Sequence, residues 1–311
     1  MPANWQNRSQ LSETDGGQSV ALRAESGTGQ GSVERLLADM PLRAGGFIVT
    51  LYGDVVGARG GEIWIGNIIE ACAAVGISET LVRTAVSRLV AAGRLEGRRT
   101  GRRSFYRLSE AARAEFDEAS RAIYGPDSPA GWRFVFVPEA LGDGTMAQLE
   151  RAGFARLKPQ LAVGPDRIAV PDGALTFAAK PETGLENLSE FAATAWDLGA
   201  HARAYRGFID RFSGLERAPL PPGPTALTLR LLLVHVYRQA RLRDPRLPPE
   251  ALPANWPGHG ARKLFARVYL ALSVAADSHV GSGFEAVGGA LAATTPTTEM
   301  RLTLLARTAQ G

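Results

Sequence analysis

Ser78-Glu79-Thr80-Leu81-Val82-Arg83-Thr84-Ala85-Val86-Ser87-Arg88-Leu89-Val90, followed by Arg94-Leu95-Glu96-Gly97-Arg98-Arg99-Thr100-Gly101-Arg102-Arg103-Ser104-Phe105-Tyr106-Arg107-Leu108, decides the fold. The Ser78 side chain can accept a hydrogen bond from an orphan amide one turn into a helix, and Gly93 closes that helix. By the 3.6-residue period, Leu81, Val82, Ala85, Val86, Leu89 and Val90 share one face, and Thr80, Arg83, Thr84, Ser87 and Arg88 share the other. The polar face is short-chained and cationic. RLEGRR and RRSFYRL then predict two strands around Thr100-Gly101, where glycine supplies the backbone freedom of a tight hairpin.

Upstream, Glu62 to Ile65 predicts a short extended piece after the turn Arg59-Gly60-Gly61, and Asn67 to Val75 a helix stopped by Gly76. Helical patterning also runs through VERLLADM and FIVTLYGDVV, separated by Pro41 and Gly45-Gly46. Downstream, Ser109 precedes a helix over Glu110 to Ile123 that Gly125-Pro126 and Pro129 end. Helix, turn, helix and arginine-rich hairpin in succession predict a winged helix-turn-helix over 32–126.

Charge is concentrated on these elements. The chain carries a formal +4, yet Ser78 to Arg107 holds eight arginines against Glu79 and Glu96, a net +6 that leaves the rest at −2. A second helix enters the major groove only if its outer face can reach base edges. Arg83 and Arg88 can pair bidentately with guanine or phosphate, Thr80 lies at the approach, and Thr84 and Ser87 can bond either or touch a thymine methyl. Arg98, Arg99, Arg102 and Arg103 would hold phosphates or enter the minor groove. A merely solvated charged hairpin is the competing reading, and the scarcity of acids on both elements argues against it. The expected partner is a double-stranded DNA operator, read by a homodimer, because one winged helix offers few contacts.

Residues 1–31 are rich in Gly, Ser, Gln and Glu without apolar period, which predicts a disordered tail. The start lacks a basic segment followed by an apolar run, and no uninterrupted 18-residue apolar stretch occurs, so no secretory signal and no membrane span is expected. Cys72 is the single cysteine, which fits a reducing, cytoplasmic setting and a packed thiol.

Trp132 to Val137, Gly144 to Ala152, Ala155 to Val163 and Leu175 to Ala179, with Ile168 to Val170 as a further strand candidate, follow a β-α-β-β order that predicts a ferredoxin-like module over 130–185. Helical patterns from Leu188 onward, joined by the rigid connectors PLPPGP and DPRLPPEALPANWPG, predict a helical domain over 186–296, with 297–311 loosely ordered. The fold class is thus α+β in three consecutive domains.

The stretch Arg43 to Ser109 resembles the N-terminal domain of the PaaX-type repressors of phenylacetic acid catabolism. The residues that carry the resemblance are Leu51-Tyr52-Gly53-Asp54, Gly60-Gly61-Glu62-Ile63-Trp64, Val82 to Leu89 and Gly101 to Leu108. Ile123-Tyr124-Gly125-Pro126, Leu242-Arg243-Asp244-Pro245 and Trp256-Pro257-Gly258 extend it to about Leu42 to Leu272. The resemblance implies a three-part dimeric repressor of aromatic-acid degradation genes, with a middle domain similar to a CRISPR-associated endonuclease. It also implies release by phenylacetyl-CoA or a related acyl-CoA.

The cation-dense stretch Arg230, His235, Arg238 and Arg241, beside Leu227, Leu231, Leu232, Val234 and Val236, offers candidates for holding the phosphates of such an effector. A solvated face with interdomain ion pairs is the competing reading.

An enzyme reading finds no residues. The alternative of a metal-dependent nuclease needs an aspartate where the first middle-domain strand ends, and there the chain has Phe136-Val137-Pro138-Glu139. Glu139 alone is a poor metal site. His201, His235, His259 and His279 are too widely spaced to form one, and no nucleophile elbow or phosphate-binding loop occurs. No cofactor and no metal are expected.

Overall fold

The computed structural model describes residues 31–127 and 131–310; the tail expected over 1–31 lies outside them except for Gly31. Helix α1 covers 31–37. Helix α2 (Ala44–Leu51) continues through a π-helical turn, Tyr52–Val56, and a 3-10 turn, Gly57–Arg59, because its run of apolar residues is packed on nearly every side. Phe47, Ile48, Leu51, Tyr52 and Val55 are wholly buried, each such side chain contributing about 1.5–3 kcal/mol by leaving water. Gly60 and Gly61, at φ +92° and +80°, make the turn into β1 (Glu62–Trp64). Then follow α3 (Ile65–Ala73), α4 (Glu79–Ala91), β2 (Leu95–Thr100) and β3 (Arg103–Leu108). The strands form an antiparallel sheet in the order β1-β3-β2.

The chain continues with α5 (Glu110–Tyr124), β4 (Trp132–Phe136), α6 (Gly142–Ala152), β5 (Ala155–Lys158), β6 (Leu161–Pro165), β7 (Leu175–Ala179), α7 (Leu188–Ala195) and α8 (Leu198–Phe212). After these come α9 (Gly223–Arg241), α10 (Pro257–Gly283), the two-residue strands β8 (Glu285–Ala286) and β9 (Gly289–Ala290), and α11 (Pro296–Gln310). The architecture is α+β with small antiparallel sheets. The middle sheet runs β5-β6-β4-β7, and its buried side, Val135, Val137 and Ala162, packs with Met146 and Leu149 of α6 and with Phe154. Ile168 to Val170, expected as a strand, is not one, and Ala155 to Val163 divides into the hairpin β5-β6.

By its internal packing the chain divides into two compact units, each drawn from separated stretches. The first comprises residues up to Ser109 with Arg217–Leu232 and Ala271–Thr295, and the second Glu110–Glu216, Leu233–Leu270 and Pro296 onward. Helix α5 joins the second unit, while parts of α9 and α10 complete the first. Asn67 shows how a distant segment is held: its buried amide donates to the Gly283 carbonyl at 2.9 Å and accepts from the Glu285 amide at 2.9 Å.

The stretch 297–311, expected to be loosely ordered, is almost entirely the helix α11. Its apolar period is weak, which hid it. Thr298, Arg301 and Leu305 are buried, and the Arg301 guanidinium lies 3.7 Å from the centre of the Tyr124 ring, an attraction that a cation over an aromatic face supplies. In the same unit Tyr237 stacks on Phe265 at 4.1 Å.

Candidate nucleic-acid interface

Helix α4 presents its polar face to solvent. Thr80, Arg83, Thr84, Ser87 and Arg88 are all exposed, while Val82, Ala85 and Val86 are buried. The inward stripe is narrower than the sequence period suggested, for Leu81 is 57% exposed and Val90 38%. Ser78 occupies the position before the first turn, its carbonyl accepting from the Val82 amide at 3.0 Å, but its side chain makes no capping bond.

Between α4 and the β2-β3 hairpin lies a groove of about 420 Å³ lined by Arg83, Ser87, Val90, Arg98, Arg99 and Tyr106, among others. The fold thus brings Arg83 and Ser87 of the helix beside Arg98 and Arg99 of the strand. Gly97 makes room for this, since a Cβ there would stand 3.0 Å from the Tyr106 ring. The groove residues Ser104 and Tyr106 were missed, because their strand alternation marks only which face they occupy.

The arginines differ in how freely they can meet an anion. Arg88 and Arg102 are exposed, and their side chains make no hydrogen bond or ion pair among the described residues. Arg83 is paired with Glu79 at 2.7 Å, one turn back, and Arg98 stands 3.6 Å from Glu62. Pairs this exposed are worth little and exchange readily for phosphate. Arg99 Nε donates to the Gly101 carbonyl at 3.2 Å, which shapes the turn. Arg103 is held more firmly: it pairs with Glu285 of β8 and lies 4.6 Å from the Trp64 ring centre. That ring in turn covers Gly66, where a Cβ would fall within 2.4 Å of it.

The four residues expected to hold an effector are not brought together as one face. Arg230 is 1% exposed within the first unit, and its Nε and Nη1 reach Asp54 and Asp277. In the second unit His235 is buried, with its Nε2 2.8 Å from the Gln239 amide nitrogen. Burial, and then the Arg238 charge, push the His235 imidazole down to about 4; burial likewise lowers Arg238. Arg241 pairs with Asp127, donates to the Ala122 carbonyl at 3.0 Å, and lines a cavity of about 510 Å³. A buried guanidinium already paired with carboxylates, as Arg230 and Arg241 are, has less charge to offer a ligand.

Among the described residues no group of three or more His, Cys, Asp or Glu is placed to hold a metal ion. Glu139 opens a 3-10 turn after β4 and is exposed. No helix among the described residues is long and apolar enough to cross a membrane. Cys72 is buried, and burial pushes its thiol up to about 12, well away from a reactive thiolate.

The family model described as PaaX-like protein matches residues 43–112, and that of the PaaX-like protein C-terminal domain matches residues 196–282. The chain is 33% identical over 285 residues to the transcriptional repressor PaaX of Escherichia coli (strain K12), an overlap of 84% of this chain and 90% of that protein.

Proposed function

The chain belongs to the PaaX-type transcriptional repressor family, a family of regulators and not of enzymes, and on that footing we propose that it is a DNA-binding repressor of aromatic-acid degradation genes. Residues 32 to 109 act as a winged helix: α3 and α4 are the helix-turn-helix pair, α4 reads the major groove, and β2-β3 is the wing. The observation that carries this reading is the groove shared by Arg83 and Ser87 of α4 with Arg98 and Arg99 of β2. A helix with exposed threonine, serine and arginine beside a cationic hairpin is what base reading and phosphate clamping need together. Leu81, exposed beside Thr80 and Thr84, adds an apolar side chain of the kind that touches a thymine methyl.

The strand order β5-β6-β4-β7, with α6 crossing from β4 to β5, supports a ferredoxin-like middle module. Its second helix is replaced by the loop between β6 and β7. The protein acts in the cytoplasm as a homodimer. Its effector is phenylacetyl-CoA or a related acyl-CoA, which prefers the arrangement that does not bind DNA and so weakens operator binding by the factor that DNA weakens its own. A nuclease reading is set aside because the middle module lacks clustered carboxylates among the described residues.

The test is operator binding at fixed salt with and without the thioester. Repression that a thioester relieves by about 5–150-fold supports the reading; operator binding indifferent to every acyl-CoA removes the effector from it.

A further inference from the structure

Three stretches of the family resemblance take no part in the DNA interface: Ile123-Tyr124-Gly125-Pro126, Leu242-Arg243-Asp244-Pro245 and Trp256-Pro257-Gly258. The fold gathers them around one cavity of about 510 Å³ within the second unit, where Gly125, Pro126, Asp244, Trp256 and Gly258 line the wall. This is the size of a small-molecule site. Leu247, Leu252 and Leu304 with Trp256 give it apolar walls.

Its charges do not cancel. Among the cavity carboxylates, Asp127 is taken by Arg241 and Arg262. Asp244 accepts from the Tyr205 hydroxyl at 2.7 Å and from the Arg246 amide at 2.7 Å, and Glu118 is exposed. Arg121, Arg167 and Arg246 also line the cavity and make no ion pair among the described residues. Arg167 donates through Nη2 to the carbonyls of Pro245 and Arg246, while its Nε is buried without a partner. A buried guanidinium donor left unsatisfied is costly unless something else completes it.

Arg246 adds a second sign. At φ +53° it is the non-glycine residue in the left-handed region among the described residues, a conformation that ordinary side chains adopt at a cost and that recurs at ligand clamps. The bonds from Arg167 and to Asp244 hold it there. Burial, and then the neighbouring charges of Arg246 and Arg241, lower Arg167 to about 10, a fall that Asp244 and Asp127 oppose but do not offset.

We infer that this cavity binds a ligand carrying two or more negative charges on phosphate groups together with an apolar arm. Arg167 and Arg246, with Arg121 at the rim, take the phosphates. Trp256, Leu247 and Leu252 take the apolar arm. A single carboxylate would answer one guanidinium and leave the others crowded, so the site discriminates against a simple free acid. The inference rests on the effector reading above for its regulatory meaning, and it adds where on this chain the ligand sits and which residues hold its charged end.

Calorimetric titration of the full chain with phenylacetyl-CoA, CoA, phenylacetate and inorganic phosphate tests it, in wild type, Arg246→Asn and Arg246→Lys. Asparagine tolerates the left-handed backbone, so the first variant removes charge without adding strain. The expected result is binding of the thioester and of CoA, each weakened about 10–100-fold by Arg246→Asn and partly restored by Arg246→Lys. Should Arg246→Asn melt early, Arg121→Ala, on the exposed side of a helix, is expected to weaken both by about 3–10-fold. Wild-type affinity in these variants overturns the site and leaves the effector reading intact. CoA binding that depends on Arg246 while operator affinity ignores every thioester leaves the site intact and overturns the effector reading. A wild-type chain that takes up none of the four overturns both.

Discussion

Arg230 Nε lies 3.0 Å from Asp54 Oδ2 with both side chains essentially shut off from solvent, although 176 residues separate them. Asp277 accepts from Arg230 Nη1 at 2.7 Å and from Arg59 Nη2 at 2.7 Å, so two aspartates and two arginines close a buried cluster within the first unit. Arg59 adds bonds to the carbonyls of Val55, Ala292 and Ala293. The π-helical turn that carries Asp54 and the 3-10 turn that carries Arg59 belong to this cluster, which ties the N-terminal helices to α9 and α10.

Removing one partner from such a cluster strands a buried charge. Arg230→Ala is therefore expected to destabilise the protein by about 3–5 kcal/mol, read as a lowered denaturant midpoint. A midpoint equal to that of wild type would mean that the cluster is not closed in solution.

His235 predicts an acid-side loss of stability. Burial, and secondarily the charge of Arg238, hold its folded pKa at about 4 against an ordinary 6.5. Unfolded chain therefore takes up the proton first as the pH falls. The contribution is complete above about 6.5 and fades as the pH drops toward about 4, on the order of 3 kcal/mol in all. Thermal melts between pH 7 and pH 4 should show the decline in wild type and a flatter profile in His235→Leu. Parallel profiles would assign the acid sensitivity to other groups.

The homodimer proposed above predicts twice the chain mass by light scattering at micromolar concentration, and cooperative operator binding, since two copies on a two-fold site multiply affinity through effective concentration. A strict monomer that binds operator tightly and without cooperativity would contradict it.

What could be read from sequence followed the range of the signal. The α4 helix and the β2-β3 hairpin carry local period, a stop glycine and a turn glycine, and all appear where those signals put them. Their edges were less legible: Leu81 and Val90 fit an apolar period, yet their burial depends on how wide a stripe α2 and α3 cover. The composition of the first unit was illegible for a different reason. Strands of two residues, β8 and β9, have no period, and the Asn67 bonds to Gly283 and Glu285 span more than 200 residues. The α9 cations were visible as cations, but their sequence neighbours do not reveal that Asp54, Asp127 and Asp277 neutralise Arg230 and Arg241. The cavity in the second unit was hidden likewise, its lining coming from motifs more than 100 residues apart.

The most direct test of the account is a competition titration of operator and random DNA, at fixed salt, with Arg88→Ala and Arg102→Ala. Arg88 stands free on the exposed face of α4, and Arg102 stands free at the tip of the hairpin. A lost base contact should cost Arg88→Ala about 1–3 kcal/mol of operator binding, roughly 5–150-fold, with a smaller loss on random DNA. Arg102→Ala should weaken both DNAs by a similar factor and reduce the salt slope by about 1. Operator binding by Arg88→Ala equal to wild type, with sequence preference intact, would contradict the assignment of α4 as the reading helix.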